Sequence, residues 1–310
     1  MYQTTNHILM VRPANFGFNE QTAESNAFQT NDTSLSQAQI SEKATTEFDG
    51  FVAQLREVGV NVIVGEDSPL PVKHDAIFPN NWVTFHEDGT VITYPMYAPM
   101  RRLERQEHIL QQIENQFVTS KRFHLEKAEA NNLFLEGTGS MIFDRPNKLV
   151  YACISPRTDV DILNEFCEIT GYKPVVFTSV DGNNQEIYHT NVMMAIGETF
   201  CVICLDTIQD INERDAVETA LVETNKEIIE ITIEQMLNFA GNMLQVRNAN
   251  DETFLVMSEQ AHKSLTNNQL EKIKSHTNII SVPIYTIETY GGGSARCMMA
   301  EVFLQEKVTN

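Results

Sequence analysis

His189-Thr190-Asn191-Val192-Met193-Met194 runs toward Gly197, and the chain returns as Phe200-Cys201-Val202-Ile203. Two β-rich runs joined by a short glycine turn read as a hairpin. The same figure recurs at a spacing of roughly 52 residues, which marks a repeat architecture. Upstream, Gly137-Thr138-Gly139-Ser140-Met141-Ile142-Phe143 turns at Pro146-Asn147 and returns as Leu149-Val150-Tyr151-Ala152. Before it, Asn80-Asn81-Trp82-Val83-Thr84-Phe85 turns at Asp88-Gly89 and returns as Val91-Ile92-Thr93-Tyr94. Downstream, Gly241-Asn242-Met243-Leu244-Gln245-Val246 turns around residues 248–251 and returns as Thr253-Phe254-Leu255-Val256.

Each hairpin is followed by a helical pattern and then one more short strand. Residues 105–117 place Ile109, Leu110, Ile113 and Phe117 on one face, and residues 160–169 do the same with Ile162, Leu163 and Phe166. Residues 212–224 and 264–276 are more charged versions. The strands that follow are expected over 122–125, 173–177, 227–231 and 278–282. The hydrophobic period switches from 3.6 to 2 inside every unit. The unit is therefore ββαβ.

A fifth unit is split between the chain ends. Cys297 to Leu304 is expected as its first strand, and Ile8-Leu9-Met10-Val11 as its partner, followed by a helix over 42–58 and a strand over 61–64. Pairing the two closes a ring and removes exposed strand edges. The expected architecture is one α/β domain over 1–310, a five-bladed ring of ββαβ units.

The residues that carry chemistry occupy equivalent places in these units. Asn81, Glu136, His189, Asn242 and Cys297 all fall at or just before the start of a first hairpin strand. Pseudo-fivefold symmetry brings such positions to the axis. A nucleophile, a base and a carboxylate then meet in one site. Cys297 follows Tyr290-Gly291-Gly292-Gly293-Ser294-Ala295-Arg296. Three glycines let the backbone bend tightly or a ligand come close.

The Glu-Gly-Thr-Gly (136–139), His-Thr-Asn (189–191) and Gly-Gly-Gly-Ser-Ala-Arg-Cys (291–297) elements resemble those of the guanidino-group-modifying superfamily, the pentein fold. With Phe-Pro-Asn-Asn-Trp (78–82), the chain is most similar to the amidinotransferase-like family of citrulline-utilisation hydrolases. The resemblance covers essentially the whole chain. It implies a five-bladed α/β propeller and a cysteine-dependent hydrolase of C–N bonds in ureido or guanidino compounds. Citrulline is the favoured substrate. Arginine-derivative deimination, dihydrolysis or amidino transfer is the alternative. Noncatalytic ribosome-binding penteins lack the cysteine and histidine, so the presence of Cys297, His189 and Glu136 weighs against that class.

The resemblance implies that Cys297 attacks the carbon between the nitrogens and that His189 protonates the departing nitrogen and then activates water. Glu136 would fix the imidazole tautomer. Arg296 and protonated His189 are candidates to stabilise the thiolate, Arg296 ranking second because it can point away from Cys297. Asn81, Asn191, Asn242, Arg296, Gly292 and Gly293 are expected to line the substrate. Arg12, Arg145, Arg157 and Arg247 are all candidates for the substrate carboxylate. Deiminases of charged guanidinium groups carry aspartate where this chain has Asn81 and His-x-Asp where it has His189-Thr190-Asn191. A carboxylate only accepts hydrogen bonds and matches a guanidinium, whereas an amide both donates and accepts and suits a neutral ureido group.

Composition agrees. The net charge is −20 and the sequence pI is near 4.7. That disfavours nucleic acid and anionic membrane surfaces as partners. No apolar run approaches a membrane span, and Met1-Tyr2-Gln3-Thr4-Thr5-Asn6 lacks the features of a signal peptide. A cytoplasmic enzyme needing no metal or cofactor is expected. The oligomeric state, homo-oligomers included, is left open. Five cysteines, an odd number, point to free thiols. Cys201 and Cys204 lie on an expected strand, where residues three apart face opposite ways, so a metal or redox pair is disfavoured. The histidines other than His189 read as loop or surface residues. Residues 19–39 read as a solvated loop, with a flap over the site as the alternative.

Overall fold

The computed structural model describes residues 2–23, 26 and 28–308. It contains five three-stranded sheets, each an antiparallel hairpin extended by a parallel third strand. The second sheet joins Val83–Phe85, Thr90–Thr93 and Lys121–His124. The third joins Ile142–Asp144, Leu149–Ile154 and Lys173–Thr178. The fourth joins Met194–Ile196, Phe200–Ile203 and Glu227–Glu230. The fifth joins Leu244–Arg247, Thr253–Ser258 and Asn278–Val282.

The first sheet is the split one. His7–Arg12 pairs antiparallel with Ala300–Glu301 (Ile8 opposite Glu301) and parallel with Asn61–Glu66. Val302 then bridges to Phe85 of the second sheet. The chain ends thus join neighbouring blades, as the sequence pattern predicts. Ile8, Leu9 and Met10 are fully buried. At roughly 1.5–3 kcal/mol for each fully buried large apolar side chain, this strand is a principal anchor of the ring.

Each third strand returns through a helix, because a parallel strand needs a crossover. Glu107–Gln116 buries Ile109, Leu110 and Ile113, and Val160–Thr170 buries Ile162, Leu163 and Phe166. Asp159 caps the latter by accepting from the Asp161 and Ile162 N–H groups, and Gly171 ends it at φ 75°. In the more charged Ile211–Glu223 only Val217 and Leu221 are buried.

Several boundaries differ from the sequence pattern. First hairpin strands begin later than expected, because short helical turns precede them at Pro79–Asn81, Gly137–Ser140 and Thr190–Val192. The expected strand from Cys297 to Leu304 shrinks to Ala300–Glu301. Residues 295–298 form a 3₁₀ turn held by the Cys297 N–H to Ser294 C=O and Met299 N–H to Arg296 C=O bonds. The pattern over 264–276 breaks at Leu265, and Thr266 caps a separate helix Asn267–His276 with a capping box. Tyr285–Gly291, which runs into the glycine bend, is helical.

Within 19–39, Glu20–Ala23 is a short helix and Gln37 already begins the helix Gln37–Glu57. Asn19, Thr22 and Asn26 are buried, so these positions are not a solvated loop. Residues 24, 25 and 27 of that stretch lie outside the described residues. His86, expected at the surface, is buried with its Nε2 2.8 Å from the Thr84 hydroxyl.

Candidate active site

Segments that precede the hairpin strands meet at one cavity. Its lining includes Asn81, His189, Cys297 and residues 291–293, together with Asp75, Phe78, Arg101, Arg157 and Tyr188. Thr22 and Asn26 form part of the wall. The space open to water is about 20 Å³, little more than one water molecule.

Glu136 ends the approach to the Gly137–Ser140 turn and is fully buried. Its Oε2 lies 2.8 Å from His189 Nε2, 3.6 Å from Arg157 Nη1 and 3.8 Å from Arg101 Nη1. Burial opposes ionisation of this carboxyl. Arg157, the His189 hydrogen bond and Arg101 outweigh it and hold the pKa at about 2. An ionised carboxylate can only accept, so His189 Nε2 carries the proton and Nδ1 keeps the lone pair. Burial lowers the His189 pKa to about 4 against the pull of Glu136. The imidazole is therefore neutral near pH 7 and not the cation expected to stabilise a resting thiolate.

The close approach of Asn81 and His189 explains Gly139. A Cβ there would sit 2.4 Å from Asn81 Nδ2 and 2.7 Å from the His189 ring. On the approach to Cys297, Gly292 takes φ 62° to end the helix Tyr285–Gly291, and its C=O accepts from the Tyr188 hydroxyl at 3.0 Å. This left-handed cap turns the chain into the segment that presents Cys297.

Cys297 is buried, and its Sγ receives two amide donors. Asn191 Nδ2 and Asn242 Nδ2 each lie 3.3 Å away. The Asn242 amide is oriented by its other bonds. Its Oδ1 accepts from the Arg296 N–H at 3.1 Å, and its Nδ2 donates to the Asn191 C=O at 3.0 Å. Among the described residues Asn191 Oδ1 has no partner.

Arg296 is the site residue that the structure removes. Its guanidinium donates to the Met299 C=O at 2.7 Å and to Glu301 Oε2 at 2.9 Å. It lines a separate small cavity with Gln3 and Glu301. On a 3₁₀ turn, adjacent side chains diverge, so sequence adjacency to Cys297 does not place it in the site. Of the four arginines considered for the substrate carboxylate, Arg157 alone lines the cavity. Arg12 pairs with Asp49, Arg145 with Glu301 and Arg247 with Glu198. Arg101 and Asp75 lay outside the sequence-level expectation. Arg101 comes from a short 3₁₀ turn and Asp75 from an irregular segment, and neither carries a motif.

The family model for N,N-dimethylarginine dimethylhydrolase, eukaryotic, matches residues 12–304. The chain belongs to this family. The family, like the solved structures it resembles, belongs to the pentein superfamily of guanidino-modifying enzymes. Solved structures share the fold. The apo arginine dihydrolase ArgZ, from the ornithine–ammonia cycle in cyanobacteria, superposes with a TM-score of 0.75 at 18% identity over 98% of this chain and 41% of its own. A complex of AgrE with L-arginine gives a TM-score of 0.75 at 15% identity, over 97% of this chain and 41% of its own. A dimethylarginine dimethylaminohydrolase adduct with S-methyl-L-thiocitrulline gives a TM-score of 0.65 at 16% identity, over 95% of this chain and 98% of its own. The chain therefore spans about two fifths of the full-length ArgZ and AgrE chains. No curated protein sequence matches it. Among the described residues no helix is long and apolar enough to cross a membrane.

Proposed function

We propose that this family member hydrolyses the ureido group of citrulline, giving ornithine, ammonia and carbon dioxide. The observation that carries the reading is the pair of amide donors, Asn191 and Asn242, at 3.3 Å from the Cys297 sulfur. A group attacked by that sulfur brings its reacting carbon beside those donors. A ureido carbon bears an oxygen that can accept their hydrogen bonds, and that oxygen gains negative charge during attack. Donors placed where charge develops are a principal source of rate enhancement. A guanidinium offers only donors at the same place. Asn191 stands where the related deiminases carry a carboxylate, which points the same way.

In this reading His189 Nδ1 takes the thiol proton as the Cys297 sulfur bonds to the ureido carbon. The proton passes to a departing nitrogen as the C–N bond breaks, leaving a carbamoyl thioester on Cys297. Neutral His189 then removes a proton from water, whose oxygen attacks the same carbon and frees the sulfur. One further C–N cleavage completes the balance: citrulline and one water yield ornithine, ammonia and carbon dioxide. Glu136 holds the imidazole tautomer throughout. Of the two cavity arginines, Arg157 is assigned to the substrate's carboxylate end. Residues 1–310 act as one catalytic domain in the cytoplasm, on a small-molecule substrate.

A second reading, arginine dihydrolysis, is favoured by Asp75. This buried carboxylate lines the cavity, and its Oδ1 has no partner among the described residues. It offers a guanidinium an acceptor, and the neighbours ArgZ and AgrE are an arginine dihydrolase and an arginine-bound protein. Incubating the pure protein with citrulline, arginine, agmatine and succinylarginine, with amino-acid and ammonia readout, separates the two. Ornithine from citrulline, absent in Cys297→Ser, is expected. Turnover of arginine without turnover of citrulline contradicts the proposal.

A further inference from the structure

We propose that Glu104 and Arg101 are positioning residues that lock the Asn81 amide with its N–H₂ end toward the substrate, so that the cavity selects a ureido oxygen over a guanidinium nitrogen. The inference rests on the citrulline reading and supplies a specificity device for it.

Arg101 and Glu104 sit three residues apart on one 3₁₀ turn, Pro99–Glu104, and both are buried. The Met100 N–H ties the turn to the short helix Glu20–Ala23 by donating to Gln21 Oε1 at 2.9 Å, beside the cavity residue Thr22. Glu104 grips the guanidinium with both oxygens. Arg101 Nε donates to Oε1 and Nη2 to Oε2, each at 2.9 Å. This two-point contact fixes the plane of the guanidinium. Its remaining nitrogen, Nη1, donates to Asn81 Oδ1 at 3.0 Å.

An arginine has donors only. The amide oxygen of Asn81 must therefore face Arg101, and the reverse rotamer would set N–H₂ against a cation. Asn81 Nδ2 is left as the other end. It is buried, has no hydrogen-bond partner among the described residues, and belongs to a residue lining the cavity. A buried donor without a partner favours a ligand that brings an acceptor. Citrulline and arginine differ at this end alone: one brings a C=O, the other only N–H groups. Without the lock Asn81 could turn either end to the ligand and would discriminate poorly.

The test measures affinity in Cys297→Ser protein, which cannot turn ligand over. Dissociation constants for citrulline and arginine are determined by calorimetry, and their ratio is compared in Glu104→Gln and Arg101→Lys. The shared amino-acid end of the two ligands cancels in that ratio. The preference for citrulline is expected to fall about tenfold in each variant, the scale of one lost hydrogen bond. In an Asn81→Ala background neither change should move the ratio further. Equal weakening of both ligands, or an unmoved ratio in a protein that still prefers citrulline, overturns the lock. Tighter binding of arginine in Cys297→Ser itself overturns the substrate reading and the lock with it. If Glu104→Gln fails to fold, Arg101→Lys decides by the same criterion.

Discussion

Exchanging Glu136 for glutamine keeps the shape of the side chain and removes its charge. Two effects are expected. The first is on tautomer: an amide can present N–H₂ to His189 Nε2, which moves the proton to Nδ1 and removes the base. Loss of the orienting carboxylate in a catalytic triad costs on the order of 10³–10⁴ in kcat. The second effect is on stability. A fully buried carboxyl held at about 2 instead of 4.5 contributes about 3 kcal/mol near neutral pH. Because the folded-state pKa is the depressed one, this contribution is complete above pH 4.5 and is lost as pH falls toward 2. The variant also leaves Arg157 and Arg101 beside a neutral group at 3.6 and 3.8 Å. Steady-state kinetics with citrulline and urea unfolding at several pH values measure both effects. A kcat within tenfold of wild type would refute the tautomer argument. A stability gap that fails to narrow as pH drops from 4.5 toward 2 would refute the electrostatic one.

Cys297→Ser should abolish turnover and leave the melting temperature nearly unchanged, and iodoacetamide should label Cys297 first. Burial pushes the Cys167 thiol up to about 11 and Cys204 to about 12, so earlier labelling of either would count against the assignment. Deleting residues 2–12 removes Ile8, Leu9 and Met10 from the ring, roughly 5–9 kcal/mol of burial, comparable to the whole stability of a typical domain. Unchanged thermal unfolding of the truncated protein would rule out ring closure by this strand. Asn81→Asp with Asn191→Asp should shift the ratio of specificity constants from citrulline toward arginine by about ten- to a hundredfold, as charged acceptors replace amides; an unmoved ratio sinks the amide argument. Burial holds His86 near pKa 3, below the ordinary 6.5, so folding excludes a proton that the unfolded chain binds. Stability should fall as pH drops from 6.5 toward 3, and His86→Gln should flatten the stability–pH profile measured by urea unfolding, an unchanged slope arguing against it.

Elements with a strong period were legible. The alternating runs ending in Val83–Phe85 and Phe200–Ile203, the helix carrying Ile109, Leu110 and Ile113, and the strand Asn278–Val282 all formed where the pattern put them. Short helical turns were not, because three or four residues carry no readable period. Around Cys297 even the polar Ser294 and Arg296 are buried, so the change from helix to turn to strand is not marked by a polar, exposed position. That uniform burial made residues 297–304 look like one strand. Equivalence across the repeats was enough to bring Asn81, Glu136, His189, Asn242 and Cys297 to one place. It could not show Arg101 and Asp75, which reach the cavity from a short 3₁₀ turn and a loop that the repeat pattern does not mark. Nor could it show that Arg296 turns to Glu301, since that direction is set by the turn.

The most direct test of the account is a competition in which the wild-type protein receives citrulline and arginine together at equal concentration. The ratio of their initial rates of consumption equals the ratio of their specificity constants. Faster loss of citrulline, with ornithine and ammonia formed in equal amounts, is the predicted result. Faster loss of arginine, with two ammonia released for each ornithine, would contradict the claim that the amides of Asn191 and Asn242 select a ureido group.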